Sequence, residues 1–308
     1  SPPPNMLADN KHNGRKTFTP ANLIHARLST LDRRAQPSSA PCRSVDTIAV
    51  VQHRKLGSQR SLAALARLER TFQPEQATPA VVVVIPLDQR TATSPFAAAL
   101  AVLLESVLPH PVCAVDTDGT AQPLRRLLKS SGAGDLVGLA ASHDATLRRR
   151  SVENYVDMAA EVPLASCWLD GPGAFPPNVF RDAVWKLRRR FPTLVLDVPQ
   201  GVPRGTINVA CELASHVVLV GDSTDIGHEW LHEGKSVLAT LAARHAVTVV
   251  AVGGHDDVRT ACAHCAVTPT PPMDVGSSGG SARTALTASS ESVIALSEVA
   301  LRAITSPA

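Results

Sequence analysis

Aromatic residues make up only 3% of this 308-residue chain, and Tyr155 is its single tyrosine. That scarcity argues against a stacking platform for single-stranded nucleic acid, and it obliges the core to be aliphatic. No apolar run reaches the roughly 18 residues that a membrane span needs. No N-terminal stretch reads as a signal peptide, the chain opening at Ser1. The six cysteines (Cys42, Cys113, Cys167, Cys211, Cys262, Cys265) are scattered rather than set at framework spacings, and Cys113 and Cys211 lie in or beside apolar runs. Reduced, buried thiols in a cytoplasmic protein are the expectation.

What is abundant is valine, leucine and alanine, within a hydrophobic content of 44%. Charge is unevenly spread. Residues 1–70 carry twelve Lys/Arg against four Asp/Glu, a net +8 within a chain of net +3, which leaves −5 on the remainder. A basic arm on a mildly acidic body suits an acidic partner surface, the inner face of a membrane or DNA; a solvated, poorly ordered tail is the plainer reading.

The central stretch runs from Val81 to Val107, VVVVIPLDQRTATSPFAAALAVLLESV. Val81–Ile85 is an unbroken apolar run suited to a strand covered on both faces. Ser94-Pro95 reads as an N-cap followed by proline in the first turn, and Ala97–Val107 as a helix. Further along, short apolar strands alternate with helices. Pro111–Val115, Ser166–Leu169, Thr193–Leu196, His216–Val220 and Val247–Val252 read as strands, with Leu136–Leu139 a weaker candidate. Leu124–Leu128, Ser151–Ala160, Val179–Arg190, Ile207–Leu213, Leu231–Arg244, Asp257–Cys265 and Glu291–Ile304 read as helices. This alternation implies an α/β fold: a mostly parallel sheet flanked by helices on both faces. Ahead of it, Ser58–Phe72 reads as an amphipathic helix with Leu62, Leu65, Ala66 and Leu68 inward, and Gln73–Pro79 as a linker. The expected division is residues 1–77, a basic arm with that helix, and residues 78–308, the α/β domain. In such sheets ligands bind beyond the carboxyl ends of the strands, so Asp116, Asp118 and Asp197 converge with the 86–94 loop.

From about Ala80 to Ile304 the pattern resembles the MinD/ParA family of deviant Walker-A ATPases, and within it the MinD-like proteins that accompany actinobacterial type VII secretion. Those have a strand, the loop KGGVGKTT, an alanine-rich helix, a strand ending VDANPD and a later strand ending D-x-P-x-G. Here Ala114-Val115-Asp116-Thr117-Asp118-Gly119 matches the second of these strands and Leu194-Val195-Leu196-Asp197-Val198-Pro199-Gln200-Gly201 the third. Pro272-Met273-Asp274 through Gly279-Gly280 resembles the family's closing P-x-D-x-x-L-x-x-G-G segment. The resemblance implies a P-loop fold with ATP and magnesium as cofactors. It also implies Asp116 in switch I, near the attacking water, and Asp197 and Ser94 at the magnesium site.

The loop departs from that pattern. Laid without a gap, KGGVGKTT falls on Asp88-Gln89-Arg90-Thr91-Ala92-Thr93-Ser94-Pro95. Asp88 replaces the signature lysine, Thr93 the phosphate-contacting lysine, and Gln89, Arg90 and Ala92 the glycines. A phosphate cradle needs backbone N–H groups turned inward by residues free to take positive φ, and it needs positive charge. Asp88 adds an anion, and Pro95 removes one N–H from the helix start. The expectation is a non-hydrolysing binding or regulatory subunit, with no nucleotide cofactor and a protein partner in secretion or polar assembly. Without nucleotide between two copies, the family's ATP-dependent face-to-face dimer is not expected either. An active magnesium-dependent ATPase with a divergent loop, using Asp116 and Asp197, is the alternative. Without a metal, both acids can equally cap the turns that follow their strands.

Two other constellations carry chemistry. His228-Glu229-Trp230-Leu231-His232 spells H-E-x-x-H, the pattern of a zinc metallohydrolase. Gly227 and Gly234 bracket it, leaving little room for the long helix it needs, and His245, His255 and Asp256 are its only third-ligand candidates. Cys262-Ala263-His264-Cys265 is a lone C-x-x-C with no second pair to complete a structural zinc site. The triplets Arg148–Arg150 and Arg188–Arg190 suit nucleic-acid contact or, more simply, solvated helix ends.

Overall fold

The computed structural model describes residues 59–71, 79–87, 92–132, 134–143, 149–166, 175–222, 237–253, 266–270, 282 and 289–305. All lie in one compact unit, Ser38–Ala308. The helix expected at Asp257–Cys265 and the closing motif at 272–280 lie outside the described residues, as does most of the basic arm.

Seven strands form one sheet: β1 (Val81–Pro86), β2 (Val112–Asp116), β3 (Leu164–Ser166), β4 (Thr193–Asp197), β5 (His216–Asp222), β6 (Val247–Val252) and β7 (Ala266–Thr270), in the spatial order β3-β2-β4-β1-β5-β6-β7. Every pairing between them is parallel. The helices are α1 (Gln59–Thr71), α2 (Ser94–Val107), α3 (Pro123–Leu127), α4 (Leu136–Ala141), α5 (Arg149–Val152), α6 (Pro177–Leu187), α7 (Arg204–Leu213), α8 (Val237–Ala243) and α9 (Ser290–Thr305).

β1 shows why the run of valines was needed. Val82 and Val84 face one apolar layer, built with α1, α2, α3 and α9, while Val81, Val83 and Ile85 face the other, built with α4, α6, α7 and α8. Alternate side chains of a strand point to opposite faces, so a strand covered on both sides must be apolar at every position. α2 is buried along Phe96–Leu104. Its alanines let it lie close to the sheet. The aromatic shortage is met by placing Phe180 and Phe191 fully in the second layer, with Phe175 edge-on to Phe180 at 5.8 Å between ring centres.

Several elements differ from the sequence reading. Leu136–Leu139 is not a strand but the start of α4, because Asp135 caps it: its side chain accepts from Gly138 N at 2.9 Å. The helix expected over Ser151–Ala160 stops at Val152. A short 3₁₀ turn follows, and Asp157 then ties the chain down by accepting from Ser130 Oγ and Gly132 N at 2.6 Å each. Ser94 is the first helical residue rather than the cap. Thr93 precedes it without a side-chain cap bond. β7 was not anticipated at all; its apolar content is only Ala266 and Val267. Within α1, Leu68 is buried in the layer with α2 and α9, but Ala66, expected to face inward, is exposed. The sequence places this helix in the arm; its apolar side joins the body's core.

Candidate functional site

β2 and β4 lie side by side in register, with Asp116 opposite Asp197 and β1 on the far side of β4. Adjacent parallel strands are about 4.8 Å apart, which brings two carboxyl groups together at one sheet edge. The chain from β1 to β2 skips over β4, and the chain from β4 to β5 passes over β1. The order of connections therefore reverses here, and the crevice lies at the carboxyl ends of β1 and β4.

Both acids are fully buried, and they are used differently. Asp116 Oδ1 accepts from Asp118 N at 3.0 Å and its Oδ2 from Leu124 N at 3.0 Å. This carboxyl holds the turn after β2 and the start of α3. Asp197 Oδ1 accepts from the Thr93 hydroxyl at 3.2 Å, whereas its Oδ2 has no hydrogen-bond partner among the described residues. Burial pushes Asp116 well above the usual carboxylate range, and the neighbouring Asp197 adds to the rise. Burial likewise pushes Asp197 up to about 7, only partly countered by the Ser94 and Thr93 hydroxyls. Among the described residues no basic side chain contributes to either shift.

The turn after β2 is knitted to β4 as well. Thr117 Oγ1 donates to the Asp197 carbonyl at 2.6 Å. Asp118 folds back on its own turn, Oδ1 accepting from Thr120 N and Ala121 N. Beyond β4 the chain turns at Gly201, whose φ of +84° is one that glycine adopts without strain. Between these two turns lies an open cleft of about 440 Å³, lined by Thr117, Asp118, Thr120, Phe175, Gln200 and Thr206 among others.

Of the residues singled out in the sequence, the structure brings together Thr93, Ser94, Asp116, Asp118 and Asp197. Ala92 is exposed just before them. Asp88, Gln89, Arg90 and Thr91 lie outside the described residues. So do His228, Glu229, His232, His255, Asp256, Cys262 and Cys265. Among the described residues no three His, Cys, Asp or Glu side chains gather as metal ligands. Cys113 and Cys211 are free and buried, as expected. The bond from Thr93 to Asp197 was not read from the sequence, although the hydroxyl of Thr93 just ahead of α2 is its signal.

No family model and no curated protein matches this chain. Solved structures do match its fold. A ParA family ATPase from Chlorobium tepidum TLS aligns over 73% of this chain and 99% of its own, with a TM-score of 0.54 and 14% identity. A chain of the MinC:MinD cell division protein complex of Aquifex aeolicus aligns over 72% of this chain and 96% of its own, with a TM-score of 0.51 and 11% identity. The parallel sheet with its crevice at β1 and β4 is thus a P-loop NTPase fold. Within that class it is the fold of the ParA and MinD ATPases.

Proposed function

We propose that this chain keeps the ParA/MinD fold without its nucleotide chemistry and works as a binding or regulatory subunit. The observation that carries the reading is the hydrogen bond from Thr93 to Asp197. A neutral hydroxyl stands where the family's loop presents a lysine, and it is spent on the acid at the end of β4. The remaining chemistry agrees. A triphosphate brings several negative charges to a crevice whose described carboxyl groups already resist ionisation because they are buried. The sequence of the preceding loop supplies Asp88 and no glycine to form a cradle. Asp116, which the resemblance would place near an attacking water, has both oxygens committed to backbone N–H groups. These residues do not fit magnesium-ATP.

The setting we propose is type VII secretion or polar assembly in the cytoplasm, at the inner face of the membrane, on the strength of the motif resemblance and the basic arm. A protein partner fits this role; the MinD of Aquifex aeolicus was solved in a complex with MinC. No described helix is long and apolar enough to cross a membrane.

Titration calorimetry with ATP and magnesium tests the reading. No binding is expected, and micromolar affinity would overturn it. The active alternative draws support from the unpartnered Asp197 Oδ2, a position from which a carboxylate can take a cation. It requires magnesium-dependent phosphate release that Asp197→Ala abolishes. Mass in solution, measured by light scattering, is expected to be the same with and without ATP and magnesium. Metal analysis of the purified chain disposes of the zinc alternative if no stoichiometric zinc is found.

A further inference from the structure

A second cleft, of about 670 Å³, opens at the other end of the sheet. Its floor is the chain just before three strands: Pro79 ahead of β1, His110 and Pro111 ahead of β2, and Pro192 ahead of β4. Its wall is the end of α6 and the residues after it, Trp185 and Arg188–Arg190. Five- and six-residue strands, at about 3.3 Å per residue, separate this rim from the Asp116/Asp197 crevice by some 17–20 Å.

The wall is unusual in being both aromatic and cationic. Trp185 is 55% exposed, and Met158 is the only other large apolar side chain exposed among the described residues. The Arg189 guanidinium lies 4.5 Å from the centre of the Trp185 ring. Arg190 is held by Glu153 at 2.5 Å and lies over Phe191 at 5.2 Å. Arg188, exposed, ends the row. Partial burial lowers the pKa of His110 on the floor, and its Nε2 lies 2.8 Å from Thr193 Oγ1. Arg189 is thus oriented by the indole before any partner arrives, which lowers the ordering cost of using it.

The geometry points to a docking cleft for an acidic segment of a partner protein, with Trp185 as the apolar anchor and Arg188 and Arg189 as the carboxylate contacts. Tryptophan and arginine are the residues that most often dominate protein–protein binding energy. The occupant is not this chain's own N-terminal arm, which is strongly basic. A nucleic-acid strand would want successive stacking faces, and the cleft's one indole is already covered on one side by Arg189. The surface is concave, which suits a chain segment better than a flat bilayer. The inference goes beyond the proposed loss of nucleotide chemistry and holds whether or not nucleotide binds at the opposite rim.

The test uses the full chain and a short fluorescein-labelled peptide of aspartate, glutamate, leucine and proline, followed by fluorescence anisotropy. The basic arm attracts the same probe in every variant, so the comparison between variants isolates the cleft. Arg188→Glu and Trp185→Ala are each expected to weaken binding about tenfold. Arg126→Glu, an exposed reversal on α3, is expected to leave it unchanged. All three should keep the wild-type melting temperature. Single-stranded DNA and anionic phospholipid vesicles are run in parallel. Equal peptide affinity in the wild type and the two cleft variants would overturn the proposal. So would a larger loss of DNA or vesicle binding than of peptide binding in those variants.

Discussion

The two rims of the sheet use charge in opposite ways. At the carboxyl ends, acids of one sign are packed together and buried, and burial drives their pKa values up. At the amino ends, arginines are left at the surface, two of them braced against an aromatic ring and a glutamate. Backbone polarity does not explain the difference, since all seven strands run the same way. It arises because Asp116 and Asp197 end strands whose neighbours are covered on both faces, whereas Trp185 and Arg188 sit on the solvent side of a helix end. Charges on the first rim act on the folding energy. Charges on the second lie at the surface, where a partner can reach them.

The largest effect should come from neutralising Asp197, whose Oδ2 has no hydrogen-bond partner among the described residues. Asp197 has its folded pKa raised to about 7 from an ordinary 3.8. The folded chain therefore keeps a proton that the unfolded chain releases, so this group's contribution to stability is greatest below pH 4 and is lost as pH rises through about 7. Asp197→Asn should raise stability at pH 8 by an amount on the order of 3 kcal/mol, and the gain should disappear near pH 4. Urea denaturation at the two pH values reads it. An unchanged difference between them would mean that the acid is compensated and that the two rims are less unlike than described.

The neighbouring acid should behave in the opposite sense. Asp116→Ala strands two backbone N–H groups, those of Asp118 and Leu124, and is expected to cost about 2 kcal/mol. The contrast arises because Asp197→Asn keeps a side chain that can accept from Thr93, whereas Asp116→Ala deletes the acceptor of two backbone N–H groups. Lys186 tests the link between α6 and the basic cleft. It is buried, and its Nζ donates to the carbonyls of Ala140 and Ser142 at 2.7 Å each. Lys186→Met should cost roughly 1–2 kcal/mol and weaken acidic-peptide binding by loosening the helix that carries Trp185. Trp185→Ala, at an exposed position, should change stability by no more than about 0.5 kcal/mol while weakening peptide binding. A loss several times larger would show that the indole serves packing rather than docking.

Strands β1, β2, β4, β5 and β6 were legible because doubly covered strands leave an unbroken apolar run. β7 was not, because two apolar residues give no such signal. Leu136–Leu139 is apolar in a way that suits strand or helix equally, and only the cap from Asp135 to Gly138 decides for helix. Ser151–Ala160 has helical composition, but Asp157 finds better partners in Ser130 and Gly132, which are distant in sequence. Asp116 and Asp197 could be named from their places after apolar runs. Their different fates could not, since that turned on which backbone N–H groups and which hydroxyl reached each oxygen.

The sequence by itself determined the parallel α/β architecture, the aliphatic core and the absence of glycine and lysine from residues 88–95, since each is a matter of residue type and spacing along the chain. Tertiary structure decided the rest. It put Thr93 on Asp197, set Asp116 in register beside it, and brought Pro79, His110 and Pro192 under Trp185. Such contacts join residues up to about a hundred positions apart. Periodicity reports which side of an element is buried; only the packed fold settles which atoms meet there.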